Sequence, residues 1–236
     1  MMKTHFILLF VLILLQNETY GEEVEPGLED DKIIGGYKTN ITAFPYQVLL
    51  ITKKDKSSYY CGGSILSKRY ILTAAHCVVG FKQGAVRAGM TSKDESLKVS
   101  PIIPVKDYKC HPKYNKNTLD YDVCILQLSK NLTLNGKTTK AVTLMKSGAD
   151  IPVGTNLTIT GWGITTETGP LSKTLNAVWV LKISASKCPF NITPRMFCAQ
   201  RPGKGHNSCN VKNILYFGIL LTHYLRVNLQ KFNFFF

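Results

Sequence analysis

No apolar run in this 236-residue chain is long enough to cross a bilayer: Phe6 to Leu15 gives ten residues, against the roughly 20 a spanning helix needs. The run follows Met1-Met2-Lys3 and precedes the polar Gln16-Asn17-Glu18-Thr19. That order is the pattern of a secretory signal peptide over residues 1–21 and gives no stable membrane anchor. Runs of five or more basic residues are also missing, although Lys and Arg outnumber Asp and Glu 29 to 15 and the net charge is +14. Scattered charge of this kind speaks against nucleic acid as a partner. Acid is scarce and unevenly placed, with Glu22, Glu23, Glu25, Glu29, Asp30 and Asp31 crowding the stretch that follows the signal. Neither an internal repeat nor a long amphipathic helical pattern is present, so solenoid and helix-bundle architectures are excluded.

What remains is a chain with 44% hydrophobic residues, enough to bury a sizeable core. Short runs rich in Val, Ile, Leu, Thr and Tyr recur between Gly, Pro, Asn and Lys. They predict strands over Tyr46–Thr52, Ser64–Leu66, Ala85–Ala88, Val123–Leu128, Asn156–Gly161 and Ala177–Ile183. The class is all-β, barrel or sandwich, with single helical turns expected at Ala74–Cys77 and Ala185–Cys188. The aromatic-poor region from Asn131 to Pro152 reads as a connector between two halves. Seven cysteines behind a signal peptide point to disulfides and to at least one thiol without a partner in the chain. Asn40, Asn131, Asn156 and Asn191 head Asn-X-Ser/Thr sequons, the acceptor pattern for glycosylation on the secretory route.

Several short motifs carry chemistry. Leu72-Thr73-Ala74-Ala75-His76-Cys77 places an imidazole, the side chain suited to take and return a proton near neutral pH, beside a cysteine. Asp120-Tyr121-Asp122-Val123-Cys124-Ile125-Leu126 places two carboxylates just ahead of an apolar run. Such a base needs a buried carboxylate on its second nitrogen to hold the tautomer. Two residues apart on a strand, both acids would share a face. Asp122, at the start of the apolar run, is the preferred partner, and Asp120 reads as a solvated loop acid.

Together with Lys32-Ile33-Ile34-Gly35-Gly36, Thr160-Gly161-Trp162-Gly163 and Met196-Phe197-Cys198-Ala199, these motifs resemble, in order, those of the trypsin-like serine proteases. The resemblance covers about residues 32 to 209. It implies two antiparallel β-barrels, the first at about 33–135 and the second at about 140–209, with the working residues in the cleft between them. It implies an acidic activation propeptide at 22–32, removed by a protease that cuts after Lys32 so that Ile33 supplies a new N-terminal ammonium. It further implies a secreted, extracellular zymogen, a protein or peptide substrate, a protein inhibitor as a further partner, and acyl-enzyme chemistry with no metal or organic cofactor. His76 and Asp122 would be the base and its orienting acid. Cys61 with Cys77, and Cys188 with Cys198, resemble family disulfides. Cys110 and Cys124 would flank the Asp122 loop on neighbouring strands, either as a third bridge or as two buried thiols.

The family's nucleophile motif has no counterpart. Where Cys-X-Gly-Asp-Ser-Gly-Gly-Pro belongs, the chain reads Ser208-Cys209-Asn210-Val211-Lys212-Asn213. Counted from Cys209, Val211 replaces a glycine, Lys212 the carboxylate that receives the new ammonium, and Asn213 the serine. Lys212 would set one ammonium against another, and the oxyanion donors, each worth about 3 kcal/mol in transition-state stabilisation, have no defined backbone to come from. Asn207 and Ser208 fall at the floor of the specificity pocket, where trypsins carry an aspartate at the first position. Residues 210–236 form an apolar, aromatic tail unlike the rest; from about Val211 onward its Phe, Asn and Lys bias suits translated intron. The expectation is an incomplete second barrel and a catalytically incompetent chain. A non-catalytic homologue that binds a partner is the alternative.

Overall fold

The computed structural model describes residues 36–145, 149–165, 169–189 and 191–201. Lys32, Ile33, Asn207, Ser208, Cys209, the signal, the propeptide and the tail lie outside these.

The fold is all-β and of chymotrypsin type, with one closed six-stranded barrel and one open sheet among the described residues. Ten strands run in chain order: β1 Tyr37–Lys38, β2 Gln47–Lys54, β3 Ser57–Ile65, β4 Tyr70–Thr73, β5 Gln83–Ala88, β6 Ile103–Cys110, β7 Cys124–Leu128, β8 Asn156–Gly161, β9 Asn176–Ile183 and β10 Cys198–Gln200. The barrel closes in the order β2-β3-β4-β7-β6-β5, each pair antiparallel. In the open sheet β9 is central. It pairs with β8 along one edge, and with β1 and β10 at opposite ends of the other.

Burial on both faces explains the unbroken apolar run Val48-Leu49-Leu50-Ile51 in β2. Val48 and Leu50 point into the barrel core with Ile65, Ile71, Val86, Leu126 and Leu128, while Leu49 joins a second cluster with Phe44, Met90, Trp162, Leu175 and Ala177 that the two halves share. Gln47, fully buried on that same outer face, accepts a hydrogen bond from Thr160 Oγ1 at 2.8 Å. The sheet of the second half is thus seated on the barrel by apolar packing and a satisfied polar contact. Trp162 Nε1 donates to Thr91 O at 3.0 Å, and Leu175 N donates to the same carbonyl at 2.8 Å.

Two features depart from the sequence reading. Tyr37 and Lys38, assigned to the first half, are hydrogen-bonded to Ala177 and Asn176 of β9, so the chain enters through the open sheet before it builds the barrel. Strand β4 was not among those read from sequence, and of β6 only the Cys110 end was placed on a strand, beside that of Cys124. Pro104, Lys106, Asp107 and Lys109 disguise β6. It tolerates them because Lys106, Asp107 and Lys109 face solvent and the ladder to β7 shifts register between Val105 and Asp107. Ala185–Lys187 forms a short 3-10 helix, and Ala75 O accepts from Val78 N and Val79 N in a helical turn around His76.

Close packing leaves no room at Gly63 in β3. A Cβ there would sit 2.8 Å from Ile71 Cγ2 and 2.9 Å from Val48 Cγ2, both on fully buried side chains. Gly63→Ala is expected to destabilise the barrel by about 1–3 kcal/mol through overpacking, read as a lower urea midpoint with an unchanged slope; an unchanged midpoint would contradict this.

Candidate active site

His76 follows β4 in the helical turn just described, and Asp122 lies in the loop between β6 and β7. The register of β4 on β7, Thr73 opposite Cys124, brings these two strand ends together. Asp122 Oδ2 lies 2.7 Å from His76 Nδ1, and Asp122 Oδ1 accepts the His76 backbone N–H at 2.8 Å. A carboxylate can only accept, so Nδ1 carries the proton and Nε2 is the basic nitrogen. Both oxygens of Asp122 hold one residue. Its side chain is 11% exposed and that of His76 24%, so the acid is the better shielded of the two.

Cys61 and Cys77 are joined behind His76, and His76 Nε2 lies 3.4 Å from Cys77 Sγ. The Cys61, His76 and Cys77 donor atoms fall within 4.8 Å of one another, but both sulfurs are committed to the disulfide and leave one nitrogen for any metal. Cys110 and Cys124 face each other at the ends of β6 and β7 and are bonded, as are Cys188 and Cys198. The sequon residues Asn40, Asn131, Asn156 and Asn191 are all exposed. Asn40 also accepts from Thr42 N and Thr91 Oγ1 through Oδ1, which leaves its amide nitrogen outside those bonds. Among the described residues no helix is long and apolar enough to cross a membrane.

Asp120 is not the solvated loop acid that its surroundings in sequence suggest. It accepts Arg195 Nε at 2.7 Å and Thr193 Oγ1 at 2.9 Å on Oδ1, and Arg195 Nη2 on Oδ2, all from the second half of the chain. The Arg195 hydrogen bond holds its carboxyl below the usual carboxylate range, helped by Thr193. The two acids do not share a face, because Tyr121 between them is left-handed (φ 54°) and the segment is no strand. Sequence gave no signal for Arg195, whose partner lies 75 residues away.

His111 is buried beside this loop. Its ring stacks on Tyr121 at 4.2 Å and its Nδ1 accepts Lys113 N at 3.1 Å. Burial pushes its pKa down; Lys113 and Arg195 add to this and Asp120 opposes them. The unfolded chain, with histidine near its ordinary value of about 6.5, therefore takes up a proton first as pH falls. Stability conferred by the neutral ring is complete above that value and is lost as pH drops towards the folded pKa. The unfolding temperature is expected to fall as pH is lowered from about 7 to about 5, and to fall less in His111→Gln; equal slopes would count against it.

An imidazole backed by a carboxylate at the end of a closed barrel that packs against a second β-sheet defines the class: chymotrypsin-fold hydrolases. Residues 33–210 match the Trypsin family model, and the chain belongs to the trypsin family of serine proteases. It is 35% identical over 198 residues to trypsin of Phaedon cochleariae, covering 80% of this chain and 73% of that one. Among solved structures it is similar to GrC (TM-score 0.66, 26% identity, 71% of this chain and 75% of that one). It is likewise similar to a scabies mite inactivated protease paralogue (TM-score 0.64, 29% identity, 72% and 77%). The family relationship is to serine-type hydrolases of protein or peptide bonds.

Proposed function

We propose that this chain is a secreted trypsin-family protein that retains the proton-transfer half of the machinery and, as written, does not hydrolyse peptide bonds. The observation that carries this is the contrast between a fully formed His76–Asp122 pair and a sequence in which Val211, Lys212 and Asn213 follow Cys209. An imidazole at this site has a proton to move only if a hydroxyl is presented to it, and asparagine presents none. The organisation we infer is a signal peptide at 1–21, a propeptide at 22–32 cleaved after Lys32, a protease domain at 33–209 with Asn207 and Ser208 at the pocket floor, and a non-family tail at 210–236. The exposed sequon residues support passage through the secretory route.

The reading is tested with a serine-directed fluorophosphonate probe on protein cleaved after Lys32. No labelling is expected, and labelling would overturn it. A second reading, a non-catalytic homologue that binds a substrate, inhibitor or protease partner through its first barrel, is favoured by one finding: a relative of similar fold is itself described as inactivated. Comparison of the transcript with the genomic locus bears on the tail: a continuous exon through Phe236 would remove the translated-intron account of residues from about Val211 onward and favour the binding reading.

A further inference from the structure

The loop that carries Asp122 is strained where it matters most. Leu119 (φ 55°) and Tyr121 (φ 54°) are both left-handed and neither is glycine, a conformation that side chains with a Cβ resist. Local bonds hold its base: His111 N donates to Val123 O at 2.9 Å, Asn115 N to Asp120 O at 3.0 Å, and Cys110 is bonded to Cys124. At its tip, the stacking of His111 on Tyr121 from within the loop is joined by contacts from the second half. The Arg195 guanidinium lies 4.4 Å from the centre of the Tyr121 ring while its nitrogens engage both oxygens of Asp120. Arg195 itself stands three residues before β10, inside the loop closed by Cys188 and Cys198. A single side chain of the second half thus grips the two residues that immediately precede Asp122.

We propose that Arg195 is a positioning residue: docked on Asp120 and Tyr121, it holds the left-handed turn at Tyr121 and with it the aim of Asp122 at His76. Because both Asp122 oxygens serve one residue, a small rotation of the loop breaks the N–H bond and the imidazole bond together. The guanidinium is suited to the task, since its planar fork matches a carboxylate and also stacks on a ring. The inference rests on the reading of His76 and Asp122 as the working pair. It makes that pair dependent on docking of the second half, even though both of its members come from the first.

The test is proton NMR of the full chain, following the downfield His76 Nδ1–H resonance and the titration of His111. In Arg195→Ala the His76 resonance is expected to broaden or vanish, and His111 to titrate higher because a cation that opposes its protonation is gone. In Asp120→Asn His111 is expected to titrate lower, the opposite direction. Arg195→Lys, which keeps the charge and loses the fork, is expected to weaken the His76 resonance while leaving His111 near its original titration. Cleavage of the 188–201 segment by an added protease is expected to speed up in Arg195→Ala by no more than about fivefold, as suits a partly exposed ion pair. A folded Arg195→Ala chain with the His76 resonance unmoved would overturn the proposal, whatever His111 does. Should Arg195→Ala lose its fold, Arg195→Lys decides: an unmoved His76 resonance there refutes it. Asp122→Asn is the separate control. If it leaves the His76 resonance in place, the pair itself is misread, whatever Arg195 does.

Discussion

Protein cleaved after Lys32 is expected to hydrolyse a peptide amide no faster than its own His76→Ala variant. The effect is large because base and nucleophile act as one unit: removing either from a serine protease lowers kcat by about a million-fold. Loss of an oxyanion donor lowers it by about a hundred- to a thousand-fold. In this chain the base and its acid are well made, with bonds of 2.7 and 2.8 Å, yet no Gly-Asp-Ser block follows Cys209. Improving the pair cannot compensate, since general-base assistance multiplies the reactivity of a nucleophile and has nothing here to multiply. Turnover of an amide substrate that disappears in His76→Ala would refute the expectation directly.

Trp162→Ala is expected to cost about 3–5 kcal/mol, the range for deleting a large buried aromatic. Trp162 is only 4% exposed and fills the cluster shared by the two halves, against Leu49, Met90 and Leu175. The loss should fall unevenly. The barrel keeps its own core of Val48, Leu50, Ile65, Ile71 and Leu126, none of which belongs to the Trp162 cluster. Limited proteolysis should therefore cut first within 156–201 while the 47–128 region persists. Uniform digestion of both would show that the halves unfold as one. Trp162→Phe is the milder control: it leaves part of the filling in place, and the Thr91 carbonyl stays bonded to Leu175 N–H.

How far the sequence could be read depends on what kind of signal each element leaves. Strand β8 was legible to the residue because Asn156-Leu-Thr-Ile-Thr-Gly alternates cleanly, Leu157 and Ile159 facing the core. Strand β6 was legible only at its Cys110 end, because the positions that betray a strand are occupied by Pro104, Lys106, Asp107 and Lys109, all at the exposed surface. His76 and Asp122 stood out because each is embedded in a local motif. Asp120 was misjudged because its environment is assembled from Thr193 and Arg195, which no local pattern announces. The rule that residues two apart share a face failed at Tyr121, since a backbone with positive φ no longer alternates.

The pairing of Tyr37–Lys38 with β9 has a consequence for biosynthesis. On the ribosome, the six barrel strands emerge in one uninterrupted block, and every partner they need lies within it. The amino-terminal pair must wait until more than a hundred further residues have been translated before its own hydrogen-bonding edge exists. Nascent chains tend to consolidate contacts of short sequence separation first and long-range ones late. Tyr37 and Lys38 are therefore tied down only after every barrel strand has been made, open until then to any enzyme that acts on them.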